Sequence, residues 1–528
     1  MTAPHTELRP APPSARALRW TLTVSCAAVA LVIASMAALY TALPQIAVTT
    51  GATQAQLTWV VDGYTLALAC LVLPGGTLGD RYGRRGVLIA GLVVFCAGAA
   101  LPLLLSDPAW LITARALSGA GAALVMPSTL SMLTAGFPEE LRGRAIGLWA
   151  GVAGAGGGAG LLGSGLIMQR WEWPAIFVGL AVGAGVLAVA AVWIPESRDT
   201  SRPRIDFAGA GASALAVGLF VAAVTEAPHR GWLDPLTLGL FAGALVALVL
   251  FVLAELRVSH PLLPIRLFAG RGFSSGIVSL TLQFLVTFGV FLLLVQHLQL
   301  ILGYSPLRSA AALVPMMLPV VSLSIVAPWL TERIGLRVMT CAGMAILAAG
   351  LLMMTRITVH TGYLGVLWPM LISGIGLGLC ATPATAAIVA GTPVEKHGVA
   401  AAVNDATREI GAAIGIALAG SLLAAGYRDR IRPALPRLPE AVREPVADSL
   451  AAALAVADRA GPAGRPLADF AKESFVHGNS QATLVLAVIA AVGAALALAA
   501  PGRPRRDLDH PIDVATRESA RLSDDQSF

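Results

Sequence analysis

Ionisable side chains interrupt long apolar runs at only a few places, and chemistry is expected there. Asp405, Arg408 and Glu409 fall together in NDATREIG. Asp405 and Glu409 are four residues apart, so on a helix they share a face. Two carboxylates that close repel when both are ionised, which favours sharing a proton and suits a group that loads and releases protons. The alternative is that Arg408 neutralises one acid and the trio only pins helices together. Arg115 stands in ITARALSGAG, where it is a gate or a donor to helix carbonyls. Asp62 in WVVDGY is a proton or cation ligand, or a cap near a helix end. Gln283, Gln296, His297 and Gln299 could line a cavity.

The elements that must hold these residues are membrane spans. The chain has 528 residues, 56% hydrophobic and 12% charged, with a mean hydropathy of +0.77. A soluble domain carries about 25% charged residues. Soluble enzymes, disordered proteins and nucleic-acid binders are thereby set aside. The reading is an all-α integral membrane protein, with charged residues in its spans treated as functional candidates because they are costly there. Fourteen apolar segments reach the roughly 20 residues a span needs, from 20–43 to 480–500.

Basic residues orient the spans. With the N-terminus inside, 22 of the 36 Lys+Arg lie in inner segments and four in short outer loops. Both termini are then cytoplasmic, as expected in a bacterial plasma membrane. The loop 425–479 holds eight more, and its segment 441–460 has the pattern of an amphipathic surface helix. The lysines are Lys396 and Lys472, and neither follows a glycine, so no phosphate-binding GxxxxGK[ST] loop exists and this chain alone does not pump with ATP. The five cysteines form no CxxC pair and read as packing residues. Only His297 among the eight histidines lies within a span, so no metal site, cofactor or enzyme active site is expected.

A repeat marks the inner loops. Residues 78–85 read LGDRYGRR and residues 330–337 read LTERIGLR, 252 positions apart and both after even-numbered spans. This implies two homologous six-helix bundles related by a pseudo-two-fold, with two linking helices. The expected division is an N-terminal tail at 1–19, one bundle at 20–194, linkers at 195–256, a second bundle at 257–500 and a tail at 501–528. In the first copy, Gly79 and Gly83 permit a tight turn, and Gly76, Asp80, Arg81, Gly83, Arg84 and Arg85 are expected to form a cytoplasmic gate. Asp80 there is suited to meet a helix N-terminus or an arginine of the facing bundle, and Glu139 and Glu140 are available partners for the arginines. The fifth span is Gly-rich. Gly147/Gly151, Gly154/Gly158 and Gly156/Gly160 have the spacing that lets membrane helices approach closely.

These patterns resemble the major facilitator superfamily, and within it the fourteen-helix drug:proton antiporters. The inner loop is similar to the GxLaDRxGRR signature at Gly76, Leu78, Asp80, Arg81, Gly83, Arg84 and Arg85. The fourth span is similar to RxxqGxgaA at Arg115, Gly119, Gly121 and Ala122, with Ser118 for the usual Gln. WVVDxY matches Trp59, Asp62 and Tyr64, and LQxxxGYSP matches Leu298, Gln299, Gly303, Tyr304, Ser305 and Pro306. Two departures stand out. Ser35 occupies the place of a first-span aspartate. In the fifth span Leu161 replaces the antiporter signature's proline and Ser164 a glycine, while Gly156, Gly160 and Gly165 remain.

The resemblance implies proton-driven export of a lipophilic drug or antibiotic, cationic or uncharged, across the lipid bilayer, and a monomer is expected to suffice. It ties Arg115 to proton coupling and Asp80 with Arg84 to an inner latch. With position 35 uncharged, the proton site shifts toward Asp62, Asp405 and Glu409. The missing proline leaves a proton-coupled uptake symporter as the alternative.

Overall fold

The computed structural model describes residues 14–498, except 40–41, 51, 53, 106, 198–205, 259–262, 264, 394–396 and 449. Seventeen α-helices are formed by these residues: α1 (Ala15–Ala38), α2 (Leu43–Thr50), α3 (Gln54–Tyr82), α4 (Arg84–Ala100), α5 (Pro108–Gly136), α6 (Glu139–Ile167), α7 (Pro174–Ala191), α8 (Phe207–Arg230), α9 (Pro235–Arg257), α10 (Arg271–Gln296), α11 (Pro306–Ile334), α12 (Leu336–Met354), α13 (Tyr363–Ala390), α14 (His397–Ile431), α15 (Glu440–Asp448), α16 (Leu450–Arg459) and α17 (Arg465–Ala497). Fourteen of them, all but α2, α15 and α16, are long and apolar enough to cross a membrane. Local chemistry sets several starts. Asp107, Asp234 and Ser305 each cap a helix with a side-chain oxygen, and Pro108, Pro235 and Pro306 follow them. Proline at that place costs no hydrogen bond, because the first N–H groups of a helix have no partner in any case.

Apolar cores form in two separate bundles. One joins α1 and α3–α7, the other α10–α14 and α17. The pair α8–α9 sits beside them: α8 packs on α3 and α14, and α9 packs on α8. Along α9, Leu245, Val246, Leu248, Val249 and Leu250 stay exposed, as a lipid-facing surface requires. The repeat extends well beyond the eight-residue motif. Gly83 (φ 105°) and Gly335 (φ 92°) hold the same left-handed turn before α4 and α12. Gly91 and Gly98 of α4 meet Gly121 and Ser118 of α5, while Gly343 and Gly350 of α12 meet Gly376 and Ser373 of α13. Gly156 and Gly160 of α6 lie on Ala30, Ile33 and Ala34 of α1, as Gly411 and Gly415 of α14 lie on Thr281, Phe284 and Leu285 of α10.

The glycines of α6 therefore serve two faces. Gly156 and Gly160 face α1 within their own bundle. Gly143, Gly147, Gly151, Gly154, Gly158 and Gly165 make a stripe against Pro328, Ser324, Val321, Val320, Met317 and Leu307 of α11, in the other bundle. The bundles also meet at the end that carries the Gly83 and Gly335 turns, called here the turn face. There Val72 and Leu73 of α3 join one apolar cluster with Val399, Ala400 and Val403 of α14.

The long loop differs from expectation. α14 continues to Ile431 and α17 begins at Arg465, so both helices extend past the face opposite the turns. The segment expected as one amphipathic surface helix is two, α15 and α16. Val446, Leu450 and Ala453 are buried in one cluster with Tyr427, Ile431, Ala471 and Phe475. The Tyr427 hydroxyl donates to the Val446 carbonyl at 2.9 Å. The apolar face meets protein rather than lipid, because the two extended helices provide a surface for it. Most of the N-terminal tail and all of 501–528 lie outside the described residues.

The two faces of α6 give a direct contrast. A methyl group on Gly160 would overlap the Ala34 backbone, whereas one on Gly163 meets nothing within 4 Å. Gly160→Ala is expected to lower stability by about 1–3 kcal/mol, and Gly163→Ala to leave it unchanged or raised. Thermal unfolding of the purified protein in detergent measures both.

Candidate functional site

Arg115 is 1% exposed and ties three helices of the first bundle together. Its Nε donates to the Val60 carbonyl of α3 at 3.1 Å, and its Nη1 donates to Ser35 Oγ of α1 at 2.9 Å. The guanidinium lies 4.2 Å from the Tyr64 ring centroid. The Tyr64 hydroxyl donates to the Val32 carbonyl at 2.9 Å. Ser35, the residue found where the resemblance calls for an aspartate, is thus the side chain that Arg115 holds. The serine keeps the hydrogen bond and omits the charge.

Asp405, Arg408 and Glu409 lie on α14, where it faces the first bundle. Asp405 is 1% exposed and Arg408 7%. An Arg408 nitrogen is 3.7 Å from Asp405 Oδ1, and Asn404 Nδ2 donates to the same oxygen at 3.3 Å. Asp405 Oδ2 is buried without a hydrogen-bond partner. The guanidinium stands 4.7 Å from the Phe284 centroid of α10 and 5.5 Å from the Trp149 centroid of α6. Trp149 is itself buried, and its Nε1 donates to Thr129 Oγ1 of α5 at 3.2 Å. The structure therefore brings Asp405, Arg408, Phe284 and Trp149 into one chain of charged and aromatic groups across the bundle interface, while Arg115 and Tyr64 form a second cluster inside the first bundle. Such a chain can store a proton or a cation where a change in its charge is felt by both bundles.

The turn-face motif forms a separate cluster. Gly76, Gly83, Asp80 and Arg84 are buried, and Arg84 Nε and Nη2 both donate to Asp80 Oδ1, at 3.2 and 2.8 Å. Arg84 Nη1 donates to Ser197 Oγ at 2.9 Å, and its backbone N–H to the Ser197 carbonyl at 2.8 Å. Arg85 pairs with Glu196 at 3.5 Å. Arg84 and Arg85 thus turn to the segment after α7 in their own bundle rather than to Glu139 and Glu140. The segment passes close over the turn: a Cβ at Gly83 would meet the Glu196 carboxylate at 2.7 Å. Arg81 stands 5.5 Å over the Tyr82 ring.

The other sequence candidates are scattered. Asp62 lies in α3, and its side chain is outside the described residues. Gln283 is fully buried and donates to the Leu377 carbonyl at 3.2 Å. His297 opens a π-helical turn (His297–Ile301) inside the second bundle, beside Asn479 and Thr483 and away from the first bundle. Leu161, in the place of the signature proline, lies inside α6, which runs from Glu139 to Ile167. Trp149, Phe284 and Tyr64 were not singled out as arginine partners. The available signal was general: a buried guanidinium seeks aromatic faces, but spacing along the chain does not say which.

The family model described as Major Facilitator Superfamily matches residues 25–416. The chain belongs to this superfamily. Its members are transporters, which agrees with fourteen spans in two repeated bundles. The chain is 34% identical over 467 residues to the multidrug resistance protein Stp of Mycobacterium tuberculosis, covering 85% of this chain and 86% of that protein. It is 35% identical over 405 residues to the cephamycin export protein CmcT of Amycolatopsis lactamdurans, covering 75% and 83%. The human organic anion transporter TETRAN shares the fold, with a TM-score of 0.60 over 91% of this chain and 99% of that one, at 12% identity.

The Asp80–Arg84 pair is buried, so breaking one side costs more than removing both. Arg84→Ala is expected to destabilise by about 3–5 kcal/mol, because a buried carboxylate loses its cation. Adding Asp80→Asn should restore part of that loss. A double-mutant cycle on thermal unfolding measures the coupling.

Proposed function

We propose that this protein is a proton-coupled secondary exporter of lipophilic small molecules of the drug and antibiotic kind, working by alternating access. The observation that carries the proposal is the placing of Asp405, Arg408 and Glu409 on α14, a helix of the second bundle that packs against α3 and α5 of the first. Charges buried in a membrane are costly, and at an interface between two bundles that cost changes whenever the bundles move. The names of the relatives support the export direction: Stp is a multidrug resistance protein and CmcT a cephamycin exporter. Lipophilic cations are the first substrates to test, because the site offers carboxylates and aromatic faces.

In this reading the bundles 20–194 and 257–500 rock about the glycine stripe of α6, and the helices between them act as linkers. The chain lies in a bacterial plasma membrane with both termini cytoplasmic, so the turn face is the cytoplasmic one. A monomer suffices, since both bundles come from one chain. Asp405 and Glu409 accept a proton, and Arg408 balances them. Arg115 carries the response into α1 and α3 through Ser35 and Val60. Asp62 lies two positions from Tyr64 and is the remaining proton candidate. Asp80 with Arg84 fixes the α3–α4 turn to the segment after α7 and so shapes the first bundle's side of the cytoplasmic mouth. Each proton crossing with the membrane potential contributes about 2.3 kcal/mol per 100 mV.

Efflux of a fluorescent lipophilic cation from bacterial cells tests this. Outward transport is expected for the wild type, with loss on adding a protonophore. Asp405→Asn or Glu409→Gln is expected to lower it at least tenfold. Transport that survives both substitutions removes the acids from the coupling step. Substrate accumulation under a proton gradient reverses the direction and makes the protein an uptake symporter.

A further inference from the structure

Arg408 is held from both bundles at once. Asp405 and Phe284 hold it from α14 and α10, and Trp149 holds it from α6. Trp149 stands ten residues from the start of α6 and Arg408 eleven from the start of α14, both counted from the turn face. At about 1.5 Å per residue both lie about 15 Å in, roughly the middle of a ~30 Å hydrocarbon core. Arg408 is 7% exposed at that depth, so most of its partners are protein groups. The ring beside it is fixed, since Trp149 is 1% exposed and its indole N–H is engaged by Thr129.

We propose that Trp149 is a positioning residue whose ring clasps Arg408 across the bundle interface, holding the turn face closed and setting where Arg408 meets Asp405. The clasp rests on the proposal that the α14 acids serve transport, but its closing action does not. The aromatic face attracts the cation through its quadrupole, more strongly where the pair is desolvated. Parting α6 from α14 strips Arg408 of that face and leaves it with Phe284 and Asp405 on its own side. Glu409, the next residue on α14, supplies no aromatic face from α6 and so does not substitute for Trp149. The geometry also explains why an arginine can sit at the interface of two moving bodies: its partner there is a ring, which binds over a broad face without a fixed hydrogen bond.

The test uses the full chain, with its five cysteines replaced and Val403→Cys added as a reporter. Val403 is buried in the apolar cluster that joins α3 and α14. Maleimide labelling of this thiol in detergent, with no substrate and no proton gradient, reads how often the turn face opens. Trp149→Leu is expected to speed labelling about tenfold, equivalent to ~1.4 kcal/mol, and to lower kcat for export with KM little changed. Trp149→Phe keeps a ring and should stay within about twofold of the parent on both measures, a rescue that mere space-filling would not give. Arg408→Met, which keeps length and removes the cation, should match Trp149→Leu in labelling, and the double variant should be no faster than either. Labelling unchanged in both single variants overturns the clasp, as do effects that add in the double variant or a Phe variant as fast as Leu. Because labelling needs neither substrate nor gradient, these outcomes stand whether or not efflux proves to be proton-driven.

Discussion

A guanidinium buried in a membrane must find its partners within the protein, and two such groups organise this molecule. Arg115 finds a carbonyl, a hydroxyl and a phenol ring on α1 and α3. Arg408 finds a carboxylate, a phenyl ring and an indole ring on α14, α10 and α6. The first arginine stitches one bundle internally. The second lies between bundles. Losing any one of these partners leaves a costly cation behind, so the helices that supply them are held in register. The glycines then set how near those helices come, through the stripe of α6 against α11 and through Gly156 and Gly160 against α1.

The backbone is symmetric where the charges are not. Adding 252 to Gly91 and Gly98 gives Gly343 and Gly350; adding 255 to Ser118, Gly121, Gly156 and Gly160 gives Ser373, Gly376, Gly411 and Gly415. The same offset of 255 carries Arg115 to Met370, Ala150 to Asp405, Ala153 to Arg408 and Gly154 to Glu409. Close packing is therefore duplicated, whereas each bundle has its own set of ionisable groups. In the proposed alternating-access cycle, the unequal charges are what would make the exchange between arrangements sensitive to what binds between the bundles.

Much of this was legible in the residues. Apolar length gave the fourteen spans, and the DRYGRR and ERIGLR turns gave the repeat, because a left-handed glycine turn leaves a recognisable spacing. The intramembrane charges of α14 marked the candidate site. Less legible was which surface each small residue would face. Gly147 and Gly160 look alike in sequence, yet one meets the other bundle and one its own, a difference decided by three-dimensional crossing rather than by spacing. The Glu196 and Ser197 partners of Arg85 and Arg84 come from more than 100 residues away, so the nearer Glu139 and Glu140 looked as good. The two helices α15 and α16 read as a membrane-surface helix because their apolar face was visible, while the extensions of α14 and α17 that cover it were not.

The central claim is that the carboxylates at the bundle interface exchange protons for substrate. The most direct measurement is proton movement itself, in liposomes carrying the purified protein, an acidic interior and a trapped pH dye. Adding a lipophilic cation outside should raise the interior pH as protons leave in exchange, and Asp405→Asn should abolish that rise. A substrate that crosses with no change in interior pH would contradict proton coupling, and one that makes the interior more acidic would show proton and substrate moving together.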